Sequence, residues 1–190
     1  MLNRTATVTR RTRETDIDLT LDLAGSGRAD VETGIGFLDH MLTSLVLHAG
    51  WNLELTCRGD LAVDDHHTAE DCALALGEAL DECLKDRETV ARFGWAMVPL
   101  DEALARAVVD LATRPFCAVS LELKRETIGG IACENLEHFV RSFATAGRFC
   151  CHLDVLQGAN DHHQAEAAFK SLALALRQAV AITGDGTVPS

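Results

Sequence analysis

One short motif that occurs twice constrains this chain more than any other feature. Asp65-His66-His67-Thr68-Ala69-Glu70 recurs as Asp161-His162-His163-Gln164-Ala165-Glu166, 96 residues later (162 − 66 = 96) in a chain of 190 residues. A second pair keeps nearly the same separation, because Leu38-Asp39-His40-Met41 and Leu136-Glu137-His138-Phe139 lie 98 residues apart (138 − 40 = 98). Two motifs that stay in register over half of the chain indicate a tandem duplication.

The hydrophobic patterning predicts the same order of elements in both halves. Strands are indicated by apolar residues at every second position and helices by apolar residues three and four apart. In the first half we expect two strands within Ala6–Leu23, a third at Arg28–Glu32, a helix at Phe37–His48, a strand at Asn52–Arg58, and a helix with Asp65 as N-cap that ends near Leu84. In the second half we expect strands at Trp95–Leu100, Ala103–Leu111 and Phe116–Leu123, a helix at Glu134–Arg148, a strand at Cys150–Leu156, and a helix from Asp161 to about Ile182. The sequence therefore predicts an α+β fold of two β-β-β-α-β-α repeats, 1–90 and 91–190, that form one compact unit.

Composition excludes several classes of partner. A net charge of −12 argues against nucleic acid or an anionic membrane as the main partner. No stretch approaches the roughly 18 apolar residues of a membrane span, and the N-terminus lacks the apolar core of a signal peptide. The seven cysteines form no CxxC pattern, so we expect reduced, buried thiols and a cytoplasmic location.

The repeated motifs carry residues that bind metal ions. Residues four apart share a helix face, so His66 with Glu70, and His162 with Glu166, can each grip one ion, while His67 and His163 point about 100° away. Adding His40 and His138 gives two predicted ligand sets: His66, Glu70, His138 and His163, and His162, Glu166, His40 and His67. Three imidazoles and one carboxylate without thiolate suit Mn, Fe, Co or Zn. Four neighbouring acids are candidates to orient the imidazoles: Asp39, Asp65, Asp71 and Glu137.

Longer segments around these residues closely resemble the imidazoleglycerol-phosphate dehydratase family. The matching segments are Gly36–Leu42, Asp64–Asp71, Pro99–Ala103, Glu137–Phe139, His162–Lys170 and Gly186–Ser190. The resemblance implies a duplicated two-layer sandwich, similar to ribosomal protein S5 domain 2. It implies the dehydration of D-erythro-imidazole glycerol phosphate to imidazole acetol phosphate in histidine biosynthesis, hence a lyase. It also implies two Mn²⁺ ions per active site and sites formed between the subunits of a homo-24-mer built from trimers.

The reaction explains why two metal ions are needed. The proton at C2 of the substrate is not acidic, because no carbonyl activates it. We expect the metal ions to hold the ring as imidazolate, which expels the C3 hydroxyl to give a diazafulvene, so that a carboxylate base can remove the C2 proton. By resemblance that base is Glu14, and the phosphate contacts are Arg92, Arg114, Lys170 and Ser190. In the family a Lys shortly after the position of Ser190 closes over the phosphate.

Two other functions remain open at this point. A dinuclear phosphoesterase would also use two metal ions, but such sites are usually rich in aspartate. A protein that stores metal, or whose assembly is held by metal, would explain the histidines and leave Glu14, Arg92, Arg114 and Lys170 without a common role.

Overall fold

The chain folds into two similar halves joined by a short 3-10 turn at Arg87–Thr89. A computed structural model describes residues 4–85 and 87–183. The first half comprises β1 (Thr5–Arg11), β2 (Thr15–Asp22), β3 (Ala29–Glu32), α1 (Gly36–Ala49), β4 (Asn52–Gly59) and α2 (His66–Cys83). The second comprises β5 (Phe93–Leu100), β6 (Ala103–Asp110), β7 (Phe116–Ser120), β8 (Thr127–Ile128), β9 (Ile131–Ala132), α3 (Cys133–Ala146), β10 (Cys150–Gln157) and α4 (Asp161–Ala179). The small β8–β9 hairpin was not predicted and has no counterpart among the described elements of the first half.

The two four-stranded sheets have the same topology. Their strand orders are β1-β2-β4-β3 and β5-β6-β10-β7, and in each sheet only the last pair is parallel. The register is also repeated, because Thr7 lies opposite Thr20 in the first sheet and Trp95 opposite Val108 in the second. Trp95 follows Thr7 by 88 positions (95 − 7), and Val108 follows Thr20 by the same number (108 − 20). The predicted α+β fold with a tandem duplication is confirmed.

The helices of the two halves share one hydrophobic core. Alternation in β2 buries Ile17, Leu19 and Leu21 against the helices and leaves Asp16 and Asp18 exposed. Helix α2 covers β1 and β2, and α4 covers β5 and β6. The halves then meet helix to helix, since α2 packs on α3 and α1 packs on α4. This packing brings the last helix of each half beside the first helix of the other half.

Several element ends differ from the predicted ones. Strand β7 ends at Ser120 rather than Leu123, because the backbone N–H of Leu121 donates to Glu137 Oε1 at 2.9 Å instead of continuing the strand pairing. Helices α2, α3 and α4 end at Cys83, Ala146 and Ala179, a few residues before the predicted ends. Asp65 stands at the N-cap of α2 but does not cap it, since Asp64 Oδ1 accepts the His66 N–H at 2.9 Å.

Two further observations concern the state of the cysteines and the character of the helices. All seven cysteines are free thiols, and five of them are buried. Within the described ranges, no helix combines the length and apolar character that crossing a bilayer requires.

Candidate metal centre

The first candidate metal-binding group consists of His66, Glu70 and His138. Glu70 lies one turn after His66 on α2, and His138 comes from α3 of the other half. His138 Nε2 is 3.0 Å from Glu70 Oε1, and His66 Nε2 is 4.0 Å from Glu70 Oε2. The rings of His66 and His138 stack with their centroids 4.8 Å apart. We call this group the first triad.

The second group, which we call the second triad, consists of His40, His162 and Glu166. Here α4 supplies the His and Glu one turn apart, and α1 of the other half supplies His40. His40 Nε2 and His162 Nε2 both lie 3.3 Å from Glu166 Oε2. The two triads are therefore built by the same rule, each from the last helix of one half and the first helix of the other.

Each triad offers the donors that a divalent transition metal prefers. One ligand atom from each of the three side chains lies within 4.8 Å of the others, in both groups. Two imidazole nitrogens and one carboxylate oxygen, without thiolate, suit a borderline or hard divalent ion and leave coordination positions for further ligands. Each triad can therefore hold a metal ion.

His67 and His163, the fourth members of the predicted ligand sets, are not part of these triads within one chain. His67 Nδ1 lies 3.0 Å from Asp60 Oδ2, and His163 Nδ1 lies 2.8 Å from Glu102 Oε2. These hydrogen bonds raise the pKa of both imidazoles above the usual value. In each ring Nδ1 faces a carboxylate, the arrangement that orients metal-binding histidines in other proteins.

The two carboxylates that hold these histidines were missed in the sequence. Asp60 follows β4, and Glu102 lies in the turn between β5 and β6. The pKa of Glu102 falls to about 2, first because of the His163 hydrogen bond and then because the backbone N–H groups of Asn160 and Ala159 donate to it. Helical periodicity could not indicate either residue, because both lie in loops.

Of the four acids expected to orient imidazoles, none bonds an imidazole directly in the described structure. Asp39 Oδ1 accepts from Thr33 N at 2.8 Å, and Glu137 accepts from the backbone of Leu121, so both fix strand-to-helix connections. Asp71 binds the β1–β2 turn. Asp65 reaches His66 only through Asn135, whose amide lies between the two.

Glu14, the predicted base, lies in the turn between β1 and β2. Buried Asp71 holds this turn to α2, because it accepts from Arg10 Nε at 2.9 Å and from the hydroxyl of Thr15. Thr12 Oγ1 in turn accepts the backbone N–H of Glu14 at 3.2 Å. The pKa of His67 is raised chiefly by its hydrogen bond to Asp60, and the charge of Glu14 adds to this effect. Asp71 thus anchors the turn beside Glu70.

The predicted phosphate ligands lie in two places in one chain. Arg92 and Arg114 line a cleft of about 240 Å³, where Asp110 holds Arg92 with a 2.8 Å contact to Nε. Lys170 instead lies at the second triad, with Nζ 2.7 Å from Glu166 Oε1, and it does not line that cleft. Ser190 lies outside the described residues.

Comparisons with known proteins identify the family to which this chain is similar. A family model described as imidazoleglycerol-phosphate dehydratase matches residues 33–176. A protein of that name from Chlorobium chlorochromatii is 51% identical over 98% of this chain and 95% of its own length. One from Phytophthora nicotianae is 54% identical over 98% of this chain, which spans only 41% of that longer protein. The crystal structure of imidazoleglycerol-phosphate dehydratase from Staphylococcus aureus subsp. aureus N315 superposes with a TM-score of 0.84 at 34% identity, covering 94% of this chain and 99% of that one.

These matches span both halves and every ligand of both triads. They also favour the dehydratase over the phosphoesterase and the metal-storage readings. The chain therefore belongs to the imidazoleglycerol-phosphate dehydratase family, and it is a lyase that dehydrates imidazoleglycerol phosphate in histidine biosynthesis.

Proposed function

We propose that the dehydration takes place at a centre of two Mn²⁺ ions, one at each triad of ligands. The two triads, each built from one helix of each half, are the observation that carries this proposal. His163 of a neighbouring subunit would complete the first ligand set, and His67 of a neighbouring subunit the second. In favour of this, both residues lie outside their own chain's triads and have Nδ1 held by a carboxylate. The active site would then lie between subunits.

The metal ions supply binding positions for the two ring nitrogens of the substrate and stabilise negative charge on that ring. The chain supplies the base. Glu14 would take the proton from C2 of the glycerol chain, and Asp71 would keep the Glu14 turn in place through Arg10 and Thr15. The position of the Glu14 turn supports this role, because Asp71, which anchors the turn, directly follows the candidate ligand Glu70 on α2.

The phosphate would be bound by Lys170, Arg92, Arg114 and Ser190. Lys170 already lies at the edge of the second triad, where its ammonium contacts Glu166. Arg92 and Arg114 line one cleft, so both guanidinium groups would contact one anion bound there. In a protein of net charge −12, such local cations are needed to bind a phosphate monoester.

We also propose that the chain assembles into a homo-24-mer built from trimers, with 1–90 and 91–190 as its two repeats. Three large apolar residues on the outer face of β5 are exposed, namely Phe93, Trp95 and Met97, by 47%, 66% and 57%. Val108 and Phe116 extend this patch across the second sheet. Exposed apolar patches of this kind mark protein interfaces. The free thiols fit a cytoplasmic location, where cysteines stay reduced.

The base assignment is tested by replacing Glu14 with Gln in the Mn²⁺-loaded protein. We expect kcat for ketone formation from imidazoleglycerol phosphate to fall by about 10²- to 10⁴-fold, because the proton acceptor is lost. Mn²⁺ binding should be unchanged. Asp16→Asn is the matched control, since it removes a carboxylate from the same hairpin and should leave kcat near the wild-type value.

Two results would contradict the proposal. Full turnover by Glu14→Gln would exclude Glu14 as the base. Undiminished turnover after complete removal of metal by a chelator would exclude the dinuclear centre, although the family assignment would stand.

A further inference from the structure

The two triads differ at one pair of equivalent positions. Asn135 on α3 corresponds to Phe37 on α1, 98 residues earlier (135 − 37 = 98), the same displacement that relates His138 to His40. Each of these residues faces the first histidine of the other half's doubled motif, so Asn135 contacts His66 and Phe37 contacts His162. One position therefore carries a polar amide and its equivalent an aromatic ring.

Asn135 fixes the tautomer of His66. The Asp65 carboxylate accepts the Ala132 N–H at 2.7 Å and the Asn135 Nδ2–H at 3.1 Å. Because the carboxylate can only accept hydrogen bonds, the NH2 group of Asn135 must face Asp65. The amide oxygen Oδ1 must then face His66, where it lies 3.0 Å from Nδ1. Nδ1 of His66 then carries the hydrogen. In the neutral ring Nε2 then keeps its lone pair for a metal ion, and it lies 4.0 Å from Glu70 Oε2.

His162 has no such arrangement. Phe37 packs against its ring edge to face, with centroids 5.1 Å apart, and an aromatic ring offers no acceptor comparable to an amide oxygen. Within residues 4–85 and 87–183, no hydrogen bond to Nδ1 of His162 is present. The neutral ring of His162 can therefore adopt either tautomer. A metal ion must select the tautomer whose Nε2 carries no hydrogen.

A second difference lies one turn beyond each triad's glutamate. Lys170 on α4 corresponds to Leu74 on α2 (170 − 96 = 74), and only the lysine carries a charge. Lys170 Nζ lies 2.7 Å from Glu166 Oε1 and is mostly buried. The ammonium competes with a metal ion for this carboxylate and repels the ion once it is bound.

We propose that the two metal sites are inequivalent and that the first triad binds its ion more tightly, because Asn135, held by Asp65, presets the tautomer of His66. This inference rests on the proposed dinuclear centre. It adds Asn135 as a positioning residue, which acts on the metal through His66 and does not touch it. Loading then follows an order, with the first triad filled before the second.

The order is tested by measuring Mn²⁺ binding to proteins that keep one triad each. His40→Ala leaves the first triad intact, and His138→Ala leaves the second. Free Mn²⁺ is measured by electron paramagnetic resonance during titration of the assembled protein. We expect the remaining site of His40→Ala to bind Mn²⁺ about tenfold more tightly than that of His138→Ala.

The role of Asn135 is tested in the same two backgrounds. Asn135→Leu should weaken Mn²⁺ binding about tenfold in the His40→Ala protein and leave it unchanged in the His138→Ala protein. Phe37→Leu in the His138→Ala protein is the matched control, because it alters the equivalent position without removing a hydrogen bond. The exchange Asp65→Asn with Asn135→Asp restores an acceptor for His66 and should recover most of the affinity.

The possible outcomes separate this inference from the dinuclear centre itself. Equal affinities of the two single-triad proteins, or an equal loss from Asn135→Leu in both, would overturn the inference and leave the centre standing. Wild-type protein that binds no Mn²⁺ would overturn both. If Asn135→Leu fails to fold, as judged by circular dichroism of the metal-free protein, the comparison of His40→Ala with His138→Ala still decides the order.

Discussion

At the scale of single residues, the candidate site depends on two acids and one amide that hold histidines. Asp60 and Glu102 fix His67 and His163, while Asn135 fixes His66. The sequence indicated all eight candidate ligands, because their spacing repeats in both halves. It did not indicate these three partners, because a hydrogen bond between residues as far apart as Asn135 and His66 leaves no local pattern.

The Glu102–His163 pair makes a prediction about pH. The pKa of Glu102 is lowered from 4.5 to about 2, so its contribution to stability is present above pH 4.5 and lost as pH falls toward 2. The pKa of His163 is raised above 6.5, so its contribution is full below pH 6.5 and lost as pH rises through the raised value. We therefore expect Glu102→Gln to lower the Tm of the metal-free protein most between pH 4.5 and 6.5.

This dependence is measured by thermal unfolding of both proteins across the pH range. Asp101→Asn serves as the control, because Asp101 lies farther from His163, at 3.7 Å, and is largely exposed. A Tm difference that does not vary with pH would show that the pair is not ionised as described.

At the scale of elements, the C-terminal part of α4 packs very closely on β5. Gly94 allows this approach: a Cβ added there would lie 1.9 Å from the backbone oxygen of Ala175. Since backbone atoms of a packed helix cannot move aside independently, only glycine fits. The patterning predicted both elements, but the end of β7 was misplaced because a tertiary hydrogen bond, that of Leu121 to Glu137, determines it.

Gly94→Ala should lower the free energy of unfolding by about 3 kcal/mol, because the added methyl group pushes α4 away from β5. Urea denaturation of the metal-free protein measures this change. Gly36→Ala is the control: no atom lies within 4 Å of its added Cβ, and stability should hardly change. Equal stability of Gly94→Ala and the wild type would contradict the tight packing seen here.

At the scale of the whole molecule, the two sheets differ on their outer faces although their topology is the same. The outer face of the first sheet is polar, with Thr7 and Asp18 among its exposed residues, and that of the second is largely apolar. Trp95 stands at the position equivalent to Thr7. The two halves thus share a topology, but only the second sheet exposes a largely apolar outer face.

Trp95→Glu should prevent assembly, because a carboxylate in the apolar patch would lose its water on contact with a second subunit. We expect the metal-loaded variant to sediment as a much smaller species than the wild type. Thr7→Glu, the same change on the equivalent strand, should sediment like the wild type. Full-sized assemblies of Trp95→Glu would exclude this face as a subunit interface.

The sequence by itself determined the duplication, the order of the main helices and strands, and the positions of the candidate ligands, because all three repeat along the chain. Only the tertiary structure decided which half completes which triad. Helix α2 packs on α3 of the other half, which places His138 beside Glu70. Helix α1 packs on α4 in the same way, which places His40 beside Glu166. The structure also revealed that Asn135 and Phe37, alike in sequence position, differ in what they offer a histidine. Periodicity records which positions are equivalent, whereas the contacts made in three dimensions determine how equivalent positions differ.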